Sequence, residues 1–124
     1  MRRLITLATV LVAAACGSST SPVDGGPGSS NQVHVGNLFF QSGHNGTQNP
    51  AVDTIAVGDS ITWRWVSTGS HSLQSTGDAN HAFLNSAVIT ASGAAYTVVF
   101  RKAGAFPYQC GVHGPSMSGV IVVQ

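Results

Sequence analysis

Ile61-Thr62-Trp63-Arg64-Trp65-Val66 alternates large apolar and polar side chains. In an extended chain successive side chains point to opposite faces, so Ile61, Trp63 and Trp65 share one face while Thr62 and Arg64 share the other. A half-buried β-strand is the reading. Tyr96, Val98 and Phe100 alternate with Thr97, Val99 and Arg101 in the same way. Elsewhere the apolar runs are short and rich in Val, Ile, Thr and aromatics, and Gly, Asn, Asp and Ser punctuate them. Helical periodicity is absent from this pattern, which instead predicts strands at 32–40, 54–57, 60–67, 71–75, 94–100, 105–110 and 119–123. Val57-Gly58-Asp59 and Lys102-Ala103-Gly104 read as turns, 41–51 as a long polar loop and 78–85 as a loop or a one-turn helix. Seven short strands in about ninety residues predict an all-β domain, a two-sheet Greek-key β-sandwich.

The chain divides into three parts. Residues 1–15 open with Arg2 and Arg3, continue through a short apolar run and end in small residues. That run is too short to span a membrane as a mature helix and reads as a signal peptide. Ala13-Ala14-Ala15-Cys16-Gly17 resembles the bacterial lipoprotein signal, which implies that Cys16 is lipidated and becomes the new N-terminus; an ordinary secretory signal cleaved near Ala15 is the alternative. Residues 16–31 then form a Ser-, Gly- and Pro-rich linker, and 32–124 form one domain. The expected location is the bacterial cell envelope, in the periplasm or on the outer surface, with membrane contact through the lipid anchor alone.

Charge removes several function classes. Loss of the signal leaves Arg64, Arg101 and Lys102 against Asp24, Asp53, Asp59 and Asp78, and the chain has no glutamate. Nothing in this balance attracts nucleic acid. Paired carboxylates for glycoside hydrolysis are missing. Around Ser116 and Ser118 the glycine spacing is wrong for a nucleophile elbow.

Chemistry concentrates near the C-terminus, in Tyr108-Gln109-Cys110-Gly111-Val112-His113-Gly114-Pro115-Ser116-Met117. A thiolate, an imidazole and a thioether fall together, and His71 stands far upstream at the edge of another apolar segment. With Cys16 lipidated, Cys110 has no disulfide partner inside the chain, and an unpaired thiol in an oxidising compartment calls for a role such as metal ligation. One Cys, two His and a weak Met is the donor set that copper prefers. Structural zinc would want four strong Cys or His ligands, and this set offers three and a thioether. His34, His44 and His81 have no partner spacing and read as surface or hydrogen-bonded residues. Trp63 and Trp65 read as core.

The domain resembles the cupredoxins, the small blue copper proteins of the plastocyanin, pseudoazurin and amicyanin kind. Four stretches carry the resemblance: Val57-Gly58-Asp59-Ser60-Ile61-Thr62-Trp63, Ser70-His71-Ser72-Leu73, Gly104-Ala105-Phe106-Pro107-Tyr108-Gln109-Cys110-Gly111-Val112-His113, and Met117-Ser118-Gly119-Val120-Ile121-Val122-Val123. It implies one type 1 copper ion held by His71, Cys110, His113 and axial Met117, with His113 as the electron port. It also implies a non-enzymatic electron carrier, a monomer whose redox partner is a protein such as a c-type cytochrome or a terminal oxidase or reductase. Two departures stand out. Three residues separate His113 from Met117, where two or four are common in the family, and Ser72 occupies the position where members such as plastocyanin and azurin carry Asn. The competing function is a copper carrier or storage protein that hands the ion over. Such sites favour Met-rich, exposed ligands, and Met1 and Met117 are the only methionines.

Overall fold

The computed structural model describes residues 31–124; the expected signal peptide, Cys16 and the linker up to residue 30 lie outside the described residues. Eight strands follow in order: β1 (Gln32–Gly36), β2 (Phe39–Ser42), β3 (Ala51–Ile55), β4 (Ser60–Trp65), β5 (Leu73–Ser75), β6 (Ala95–Val99), β7 (Gly104–Cys110) and β8 (Gly114–Val123). One sheet has the order β2-β1-β4-β6 and the other β3-β8-β7-β5. Both are mixed, because β1 runs parallel to β4 and β3 parallel to β8. No helix among the described residues is long and apolar enough to cross a membrane.

The predicted alternation holds. Ile61, Trp63 and Trp65 are all buried, with Arg64 exposed and Thr62 half-buried. Trp63 of the first sheet meets Tyr108 of the second edge to face, ring centroids 5.3 Å apart, and Phe40 meets Tyr108 at 5.0 Å. The inner faces of the two sheets thus close on one aromatic core. Burying a large apolar side chain of this kind is worth about 1.5–3 kcal/mol, so these rings fix the spacing of the sheets on which the C-terminal loop is carried.

Several expected boundaries shift: the strand expected at 54–57 is β3 at Ala51–Ile55, the one expected at 60–67 ends at Trp65 and the one expected at 71–75 begins at Leu73. The single strand expected at 32–40 is a hairpin, β1 and β2, whose turn places Leu38 at φ 65°. Leu rarely adopts that left-handed region, so nothing in an apolar Leu-Phe-Phe run announced a reversal. The expected loop at 41–51 begins later, since β2 extends to Ser42. It then crosses to the other sheet, where Asp53 Oδ1 accepts from the buried Ser42 hydroxyl of β2 at 2.6 Å. The last strand opens at Gly114 rather than Gly119.

Candidate metal centre

His71 follows the exit of β4, on a segment that pairs with no full strand. Its backbone is fixed instead by an isolated bridge: His71 N–H donates to Ile89 O at 3.2 Å, and Ile89 N–H donates to His71 O at 2.9 Å. Cys110 closes β7 and is buried and unpaired. Residues 111–113 form the turn into β8, which puts His113 on its corner, half-buried beside exposed Val112.

These three side chains converge. Cys110 Sγ lies 3.8 Å from His71 Nδ1 and 3.5 Å from His113 Nδ1, and one donor atom from each residue falls within 4.8 Å of the others. The two imidazole rings tilt at 41° with centroids 4.9 Å apart. Burial and the neighbouring His113 both hold the His71 pKa below the ordinary histidine value, which favours the neutral, metal-competent imidazole. One soft sulfur and two imidazole nitrogens facing one point fit copper well.

Met117 follows a register shift between β7 and β8. Ser118 pairs with Gln109, yet Gly114 pairs with Cys110, so residues 115–117 bulge opposite a single step of β7. Met117 is fully buried in that bulge. The three-residue spacing seen in the sequence is therefore accommodated as a β-bulge, a device that re-aims side chains at functional corners.

Ser72 supports the corner through its backbone: Gly111 N–H donates to Ser72 O at 3.3 Å. A Cβ at Gly111 would come 2.6 Å from Ser72 Oγ, so a larger residue there would force the Ser72 hydroxyl to move. Ile89 is a supporting residue that the sequence reading passed over; only the apolar pair Val88-Ile89 inside a polar stretch hinted at it. The remaining histidines stand apart from the cluster: His81 Nδ1 pairs with Asp78 Oδ1 at 2.9 Å and its ring packs on Phe106.

Residues 31–124 match the family of copper binding proteins described as the plastocyanin/azurin family. The chain belongs to that family. A chloroplastic plastocyanin from Tetradesmus obliquus is 35 % identical over 82 residues, covering 60 % of this chain and 57 % of that protein. A purple cupredoxin from Nitrosopumilus maritimus aligns in structure over 75 % of this chain and 98 % of its own, with TM-score 0.57 and 26 % identity. A methionine-to-alanine variant of amicyanin, in its Cu(I) form, aligns over 77 % of this chain and 82 % of its own, with TM-score 0.61 and 22 % identity, a likeness of fold. The expected fold is thus met by the two-sheet arrangement and by these neighbours. Family membership and the His–Cys–His cluster together support a single type 1 copper ion as cofactor.

Proposed function

We propose that this protein is an exported, lipid-anchored blue copper protein that carries single electrons between redox proteins, with His71, Cys110, His113 and Met117 as the ligands. The convergence of Cys110 Sγ with two imidazole Nδ1 atoms carries the reading. Copper supplies a one-electron couple, and two imidazoles with one thiolate and a weak axial sulfur suit both of its oxidation states. The chain's own work is to hold those donors still. Ile89 and Gly111 pin the backbone on both sides of the cluster, while the burial of His71, Cys110 and Met117 keeps water away. Half-buried His113, beside exposed Val112, is the residue placed for electron exit. No enzymatic step is assigned to this corner.

The same burial supports a shuttle over copper delivery, because exchangeable sites need accessible ligands. The partner is a protein such as a c-type cytochrome or a terminal oxidase or reductase. The domain works as a monomer, held at the membrane of the cell envelope by lipid on Cys16. Residues 1–15 act as the signal and 16–31 as the linker.

Absorption and EPR spectra of the Cu(II)-loaded protein test the centre: an intense thiolate-to-copper band with narrow hyperfine splitting is expected, and a pale tetragonal spectrum would overturn it. Stopped-flow reduction and reoxidation beside a chelator challenge tests the role. Fast reversible cycling with copper retained supports the shuttle, and ready loss of the ion to the chelator supports delivery. Metabolic labelling with palmitate, lost in Cys16→Ala, tests the anchor.

A further inference from the structure

β7 begins at Gly104 and ends at Cys110, so its start lies about 20 Å from the metal corner at ~3.3 Å per residue. A cavity of about 290 Å³ opens there, between the β6–β7 turn and the 80–84 segment. Its floor is aromatic: Phe100 meets Phe83 and Phe106 edge to face at 5.8 and 5.0 Å. Leu84, 81 % exposed, stands at its mouth. Arg101 and Lys102 line the same cavity and no carboxylate does. Neither cation takes part in an ion pair among the described residues. Lys102 Nζ is turned toward Asn80, donating to its Oδ1 at 3.3 Å. The nearby acids are occupied: Asp78 by the His81 ring and the Asn80 N–H, Asp59 by the Ala56 N–H.

We propose that this cavity is a binding site for a small amphipathic anion, an aryl or short-chain carboxylate whose apolar part lies on Phe83 and Leu84 over the buried Phe100 and Phe106 and whose carboxylate meets Arg101 and Lys102. The volume sits near the lower edge of the ~300–1,000 Å³ of small-ligand sites, and an apolar floor with a few convergent polar groups is their usual composition. Charge selects the sign of the ligand, since an anion here gains charge-assisted hydrogen bonds from two otherwise unpaired cations. The site is remote from the metal corner, and its occupancy does not depend on the copper reading.

The test is calorimetric titration of the full chain with 4-phenylbutyrate and with 4-phenylbutanol, followed by amide chemical-shift mapping. The acid is expected to bind with one-to-one stoichiometry, about tenfold or more tighter than the alcohol, with shifts at 82–84 and 99–102. Arg101→Gln with Lys102→Gln should erase the preference for the acid. Ala82→Trp, which fills the cavity, should abolish binding of both, with the metal-corner amide shifts of each variant confirming its fold. Absence of saturable binding at millimolar ligand, equal affinity for acid and alcohol, or shifts centred on Val112 and His113 would each overturn the proposal.

Discussion

Two buried polar clusters in this sandwich solve the same problem in different ways. Ser42 and Asp53 tie β2 to β3 and answer each other: the hydroxyl donates to one carboxyl oxygen and itself accepts the N–H groups of His44 and Asn45. Only Asp53 Oδ2 is left without a partner. At the other cluster Cys110 Sγ approaches His71 Nδ1 and His113 Nδ1 at 3.8 and 3.5 Å, and a thiol makes only weak hydrogen bonds to them. Most buried polar groups are paired. The chain pairs one Asp53 oxygen with Ser42, whereas the three donor atoms around Cys110 face one another as a group that could hold an ion.

The hardest blow to that contrast is Cys110→Ser. The hydroxyl is a poor soft donor, so the variant should lose the intense visible band entirely. A retained band would show that the thiolate is not the ligand. Removal of copper should come next. Bound ligand stabilises the native state by about 4 kcal/mol at a thousandfold excess over Kd, so the apo protein should melt several degrees lower in a thermal scan, and equal melting temperatures would mean that the cluster is satisfied without the ion.

Gly111→Ala probes the closeness of the two loops. Its Cβ would press on Ser72 Oγ, and overpacking of this kind costs about 1–3 kcal/mol. Denaturant unfolding should show that loss together with a shifted visible band, and a neutral variant would remove the Ser72–Gly111 contact as a support. Asp53→Asn sharpens the other side. Burial raises the Asp53 pKa above the ordinary carboxylate value, against the opposing Ser42 hydrogen bond and His44. An acid with a raised folded pKa stabilises fully below its unfolded pKa and loses that contribution as pH rises through the folded one. Wild-type stability should therefore fall with rising pH from about 4 upward, and the Asn variant, which mimics the neutral acid, should show a flatter profile. Parallel pH profiles would mean that Asp53 does not titrate abnormally. The smallest effect is Met117→Leu, isosteric enough to keep fold and colour. Loss of a donor that favours Cu(II) should raise the reduction potential in voltammetry, and an unchanged potential would place Met117 outside the copper sphere.

Some of this architecture was plain in the residue order. Alternation in 61–66 and 96–101 marked which side chains enter the core, because a pleated strand allows only two directions. The hairpin at Leu38 was not legible, since its positive φ is imposed on a residue that does not prefer it. The site divides similarly. Cys110 and His113 lie three residues apart, and the unpaired thiol marked them as ligand candidates. The bridge from His71 to Ile89 was invisible, because backbone pairing across eighteen positions leaves no pattern in side-chain type.

The sequence by itself pointed to the chemistry: a thiol and an imidazole three residues apart, a methionine close behind and no glutamate favour a soft metal centre. Only the tertiary structure decided that His71 meets Cys110 across thirty-nine positions, and that a bulge at 115–117 buries Met117. The reason is that donor identity is a property of single side chains. Convergence depends instead on strand register and on the packing of Trp63 and Phe40 against Tyr108, which only the assembled sheets possess.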